Sequence, residues 1–178
     1  MMADESGLLG YIALVSARWN RPGLFNPYQF LLDHGRSQQV VGSKRKLRAN
    51  ACVNNSIKMI VDQFRYIEGY VVVHIPLQHA WNEAVDTGQW MDHTIRSPEC
   101  WEYFGVEIPT PVILLAARHK MWTLSTGVLE TMCHFPDEDL IWAEKQFSEA
   151  LGFRAQGLPS TDDPVNIPTS QNLIASTV

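Results

Sequence analysis

Cysteine is scarce and unsuited to pairing: Cys52, Cys100 and Cys133 are the only three in 178 residues. An odd count with no Cys-x-x-Cys pair excludes a disulfide framework and a zinc-stapled mini-domain, and a reducing compartment suits such a chain. Long apolar runs are also missing. The longest, Gly7 to Val15 and Pro111 to Ala117, fall far short of the roughly 20 residues that a membrane helix needs. The first follows Asp4 and Glu5 with no Lys or Arg ahead of it, unlike a secretory signal, so the expectation is a cytoplasmic protein. Positive charge is in deficit, with 14 Lys and Arg against 19 Asp and Glu and a net charge of −5, which speaks against a dedicated nucleic-acid partner. No Gly-x-Gly-x-x-Gly, Walker loop or Gly-x-Ser-x-Gly occurs, so nucleotide binding and serine hydrolysis lack support.

What is present is a 46% hydrophobic chain, long enough to bury roughly 70% of its unfolded surface in one core. The expectation is one catalytic-type domain over residues 1–157 with its core at 50–108, then a flexible tail at 158–178 rich in Pro, Ser, Thr, Asp and Asn. Leu8 to Val15 and Tyr28 to Leu32 read as short elements of undecided type. Val53, Ile57, Ile60, Val61 and Phe64 share one face at helical spacing, predicting a helix from Cys52 to Phe64 with Asn50 as its cap. The period then becomes extended: Tyr66 to Ile75, a break at Pro76, Leu77 to Val85, a turn at Asp86-Thr87-Gly88, and a returning strand from Gln89 to Ile95. After a loop around Ser97-Pro98 the chain carries Tyr103 to Pro109, a segment without an assigned type, and then a helix from Pro111 to Trp122. Asp137 is a candidate cap for a last helix to Leu151, buried through Leu140, Ile141, Ala143, Phe147 and Leu151. The fold class is α+β, with a central antiparallel sheet of about four to six strands and the Cys52 helix packed on it.

A thiol at a helix start sits in the positive end of the macrodipole, where the thiolate is favoured. Cys52 has that position, and the run Lys44-Arg45-Lys46-Leu47-Arg48 just upstream can deepen the effect or guide an anionic substrate. His79 and Asp92 lie 7 residues before and 6 after Asp86, so a hairpin brings them nearly opposite on one face. A one-residue slip in register would separate them. An imidazole there can take the thiol's proton, and a carboxylate can fix its tautomer. The plain alternative for Cys52, as for Cys100 and Cys133, is a buried, inert thiol. His34, His74, His93, His119 and His134 read as structural. A two-His, one-carboxylate metal site from His74, His79, Asp92 and His93 follows no helical ligand spacing, and no metal or cofactor is expected. Asp86-Thr87-Gly88 spells an aspartic-protease tripeptide, yet that chemistry needs two copies and a hairpin turn explains it. Trp81, beside His79, is placed to wall such a site.

The segments Ala49-Asn50-Ala51-Cys52-Val53-Asn54-Asn55, Tyr66-Ile67-Glu68-Gly69-Tyr70, Gln78-His79-Ala80-Trp81, Trp90-Met91-Asp92 and Tyr103-Phe104-Gly105-Val106 together resemble the papain-like cysteine hydrolase superfamily. The likeness is to its transglutaminase-like and NlpC/P60-like branches and to small bacterial and phage proteins of that type, and it covers Asn50 to Ile108. The resemblance implies Cys52 as nucleophile, His79 as general base and acid, and Asp92 as the orienting carboxylate, an Asp in third place being similar to transglutaminases. It implies a papain-like or transglutaminase-like core and a peptide or protein substrate attacked at an amide or a glutamine side chain through a thioester. The oxyanion would meet the Cys52 backbone N–H and a side-chain donor from Gln39, Asn50, Asn54 or Gln78. Glu68 joins the candidates through the family-like Glu-Gly phrase. The reading from another class is a non-enzymatic binding or regulatory protein on the same scaffold, with Cys52 inert.

Overall fold

Residues 64–72 and 76–84 carry the β-branched and aromatic pattern of strands, and they form the two longest ones, β3 (Phe64–Val72) and β4 (Pro76–Ala84). They pair antiparallel, with Glu68 opposite Ala80 and Gly69 opposite His79. The computed structural model describes residues 7–21, 23–72, 74–119 and 127–155; the predicted tail at 158–178 and the end of the helix predicted to Trp122 lie outside them. Pro76 opens β4 instead of breaking the extended run, a position where its missing N–H does no harm. Gly88, at φ +66°, turns the chain back into the short β5 (Trp90–Asp92).

The remaining strands are β1 (Arg36–Ser37), β2 (Val40–Gly42) and β6 (Glu102–Ile108), and the sheet order is β1-β6-β3-β4-β5-β2. Four pairings are antiparallel, but β2 runs parallel to β5. The sheet is therefore mixed, not antiparallel throughout, because a helix and two strands intervene between β2 and β5 and supply the crossover a parallel pair needs.

The helices are α1 (Leu8–Ala17), α2 (Pro27–His34), α3 (Cys52–Met59), α4 (Thr110–Arg118), α5 (Val128–Met132) and α6 (Asp137–Ala155). The undecided N-terminal run is thus helical, burying Leu8, Ile12 and Ser16 at four-residue spacing. Helix α3 ends earlier than its apolar stripe suggests: Ile60–Asp62 tightens into a 3-10 turn, and Gln63 turns left-handed at φ 66°. Val61 is swung outward and is 85% exposed. Asn50 is itself left-handed at φ 57°, so the cap position falls on Ala51, which offers no side-chain acceptor. In α6 the Leu140 N–H bonds to the Pro136 carbonyl, so Asp137 lies inside the first turn with Glu138 and Asp139, where acidic charge suits the helix dipole. Ile141, expected in the buried stripe, faces outward at 67% exposure.

The sheet carries a core on each side. Ile12, Leu31, Val53, Tyr66, Ala80, Val112, Met132 and Phe147 belong to the helix-covered core, and Val40, Ile67, Val71, Trp81, Trp90 and Tyr103 form a second cluster. Each such large side chain contributes roughly 1.5–3 kcal/mol on burial. Gly69 and Gly105 face each other across β3 and β6, and a Cβ on Gly105 would stand 2.6 Å from the Trp81 ring. That flat patch lets large side chains reach across β3.

Candidate active site

His79 occupies the middle of β4 and Asp92 the end of β5, both buried. The β4–β5 register pairs Asn82 with Met91 and Glu83 with Trp90. Continued by one residue, it sets Asp92 beside Trp81 and diagonal to His79 on the same face. The two side chains meet: His79 Nε2 lies 2.7 Å from Asp92 Oδ2. The Tyr103 hydroxyl donates to the same oxygen at 2.8 Å, and the backbone N–H groups of Thr94 and Ile95 donate to Oδ1 at 2.6 and 2.9 Å. Burial would push the Asp92 carboxyl up, but His79 and these N–H groups hold it below the ordinary carboxylate value.

Cys52, the first residue of α3 and half-buried, takes up the other side of the imidazole. With Nε2 directed at Asp92, Nδ1 is the ring nitrogen left for the Cys52–His79 hydrogen bond. Strand β5 pairs only with Asn82 and Glu83 of β4, so the Ala80 N–H is open to the sulfur and donates to it, as does Val53. Burial raises the Cys52 thiol, and the His79 hydrogen bond and charge with these two N–H groups outweigh it, leaving the thiol below its usual range. Burial likewise works against the imidazolium, and Asp92 and Cys52 together overcome it and push His79 up to about 9. The shared imidazole thus favours the charged form of both partners, with the imidazolium held on a carboxylate.

The basic run also ties the site together. Lys46 Nζ donates to the Asp92 and Ile95 carbonyls, and Asn55 Nδ2 bonds the Arg48 carbonyl at 2.7 Å and Thr94 Oγ1 at 3.0 Å. These bonds fasten the loop after Asp92 to the chain leading into Cys52. Trp81, fully buried, stacks on His79 with ring centroids 6.2 Å apart and planes 17° from parallel.

No family model, curated protein or solved structure matches the chain. Gln78 turns its amide to Glu68 Oε1 at 3.3 Å, beside His79 but on the opposite face of β4. Glu68 is buried and also accepts Tyr66 Oη at 2.8 Å and the Val128 and Leu129 N–H groups at 2.6 and 3.1 Å. Asn54 is half-buried in the first turn of α3, whereas Asn50 is exposed ahead of it. Gln39 is exposed next to β2, its carbonyl bonded to Gln89 Nε2 at 3.2 Å, at the end of β5 away from Asp92.

The other candidates separate. Cys133 is buried and its thiol is pushed up to about 11 by burial and by Glu130. Cys100, expected to be buried, is exposed, because the 3-10 turn Pro98–Cys100 runs over the surface between β5 and β6. His93 is buried edge-on to Phe64, His74 is exposed, and His119 pairs with Asp139 at 2.8 Å. Sequence reasoning missed Tyr103 as a partner of Asp92. Strand alternation could have given its face, but only the pairing of β6 with β3, and the glycine patch between, reveals that it reaches Asp92.

Proposed function

We propose that this chain is a thiol-dependent acyl-transfer enzyme with a papain-like or transglutaminase-like core. The observation that carries the reading is one imidazole shared between Asp92, through Nε2, and Cys52, at the start of α3. The Cys52 thiolate attacks the carbonyl carbon of an amide in a peptide, an isopeptide or a glutamine side chain, forming a C–S bond and a tetrahedral oxyanion. The oxyanion meets the Cys52 backbone N–H, with the Gln78 or Asn54 amide as a second donor. As the C–N bond breaks, the His79 imidazolium passes its proton to the leaving amine. A thioester remains. Water or an amine then gives a proton to neutral His79 and attacks the carbonyl, and the C–S bond breaks to restore the thiolate–imidazolium pair. Asp92, fixed by Tyr103 and two backbone N–H groups, keeps the ring in the tautomer this sequence requires. No cofactor enters the scheme.

The test is the pH dependence of iodoacetamide labelling at each cysteine, read by peptide mass spectrometry on the unmodified chain, His79→Ala and Asp92→Ala. Cys52 is expected to label well below the ~8.5 midpoint of a free thiol and to outpace exposed Cys100 at neutral pH, with the advantage lost in His79→Ala. A Cys52 that labels only after unfolding overturns the enzyme reading and returns the binding-protein alternative.

A further inference from the structure

Asparagine is a poor residue for a helix interior, because its amide competes for backbone groups, and burying it costs free energy unless its hydrogen bonds are made. Asn55 is nevertheless 1% exposed within α3, three residues after Cys52. Its backbone N–H closes the first turn on the Ala51 carbonyl at 2.8 Å. Its amide nitrogen, with two hydrogens to give, meets two acceptors. One is the Arg48 carbonyl at 2.7 Å, in the chain entering α3, and the other is Thr94 Oγ1 at 3.0 Å, in the chain leaving Asp92. Thr94 in turn donates its backbone N–H to Asp92 Oδ1 at 2.6 Å. The hydrogen bonds therefore close a ring: Cys52 to His79, His79 to Asp92, Asp92 to Thr94, Thr94 to Asn55, and through the first turn of the helix back to Cys52.

Other bonds fasten the same loop, but not to the helix. The Ser43 N–H and Lys46 Nζ meet the Asp92 carbonyl at 3.0 and 3.1 Å, and the Leu47 N–H meets the His93 carbonyl at 2.8 Å, all from the chain ahead of Cys52. Among the described residues, Asn55 alone joins α3 itself to the segment after Asp92 by a side-chain hydrogen bond. A second buried amide, Asn82 of β4, donates to the Ser56 carbonyl at 2.9 Å and sets α3 against the strand that carries His79. The helix start is thus held from two sides, the strand of the imidazole and the loop of its carboxylate. Without the Asn55 amide, α3 keeps its packing and the Asn82 bond but loses its tie to Asp92, and a displacement well under 1 Å is enough to spoil a shared hydrogen bond.

We infer that Asn55 is a positioning residue of the Cys52, His79 and Asp92 site, holding the thiol of α3 at a fixed reach from the imidazole that Asp92 orients. The role deepens the acyl-transfer reading and rests on it, so the test carries one readout that does not depend on the sulfur. In the full chain, Asn55→Ala and Thr94→Val each remove one end of the bond, and Thr94→Ser restores the acceptor. Two quantities are followed: the pH profile of Cys52 iodoacetamide labelling, and the His79 Nε2–H proton resonance, assigned by its loss in His79→Ala. Asn55→Ala should slow Cys52 labelling at pH 7 about tenfold and Thr94→Val about threefold, with a raised labelling midpoint and a moved His79 resonance in both. Thr94→Ser should bring both readings back toward those of the unmodified chain. If Asn55→Ala does not fold, the two Thr94 variants decide the matter. A lower unfolding midpoint with the labelling profile and the His79 resonance unchanged makes the bond a stabilising one only and overturns the inference, as does a Thr94→Ser that behaves like Thr94→Val. If Cys52 of the unmodified chain labels only after unfolding, the enzyme reading falls, and the His79 resonance alone then judges Asn55.

Discussion

Asp92 and Glu68 are two buried carboxylates built almost alike on opposite faces of one sheet. Each accepts a tyrosine hydroxyl at 2.8 Å, from Tyr103 and Tyr66, and each accepts two backbone N–H groups. The fourth partner differs, and the two partners are neighbours on β4: His79 for Asp92, Gln78 for Glu68. Burial raises both carboxyls. With an imidazole that can carry charge, Asp92 ends below the ordinary value; with a neutral amide, Glu68 ends at about 7. Neutral donors can orient a buried carboxylate, but a partner charge decides whether it stays ionised.

The largest effect should come from removing that charge. His79→Ala is expected to slow Cys52 alkylation at pH 7 on the order of a hundredfold, since it deletes both the proton acceptor and the cation beside the sulfur; the measurement is the labelling rate by mass spectrometry. Asp92→Asn keeps the site's shape and removes the carboxylate charge, leaving the imidazolium buried without its counter-ion. It should cost about 3 kcal/mol in denaturant unfolding at pH 7 and move the Cys52 labelling midpoint upward.

Glu68→Gln probes the other face through pH. Because the folded-state value of Glu68 is raised from 4.5 to about 7, the folded chain holds the proton more tightly than the unfolded one. Its contribution is full below pH 4.5 and is lost as pH rises through 7, on the order of 3 kcal/mol. The stability difference between the unmodified chain and Glu68→Gln, measured by denaturant midpoints from pH 4 to pH 8, should therefore shift against the unmodified chain as pH rises. Asp92 has the opposite sign: its lowered value gives stability above the unfolded carboxylate range that is lost on acidification. The smallest effect belongs to the tyrosines. Tyr103→Phe removes one hydrogen bond to an ionised group, about 1.5–2 kcal/mol of unfolding free energy, and should leave Cys52 labelling within about threefold.

Much of the sequence-level picture rests on local period. The α3–β3–β4–β5 order is written in the switch from helical to extended spacing after Cys52, and the turn at Gly88 brings His79 to Asp92. What stayed hidden depends on distant pairing or on single backbone angles. Glu68 meets Val128 and Leu129 some 60 residues away, and nothing around Glu68 signals them. Asn50 and Gln63 enter the left-handed region, shifting one helix end and stopping the other, which hydrophobic spacing cannot register. The parallel β2 strand is three residues long, too short for a pattern to show.

The Trp81 ring lying over His79 has an optical consequence. A protonated imidazole quenches indole emission far more than a neutral one does, so this buried stack makes tryptophan fluorescence a reporter on the proton state of His79. The difference in emission between the unmodified chain and His79→Ala, followed against pH, would then trace that proton without any substrate and without touching the sulfur.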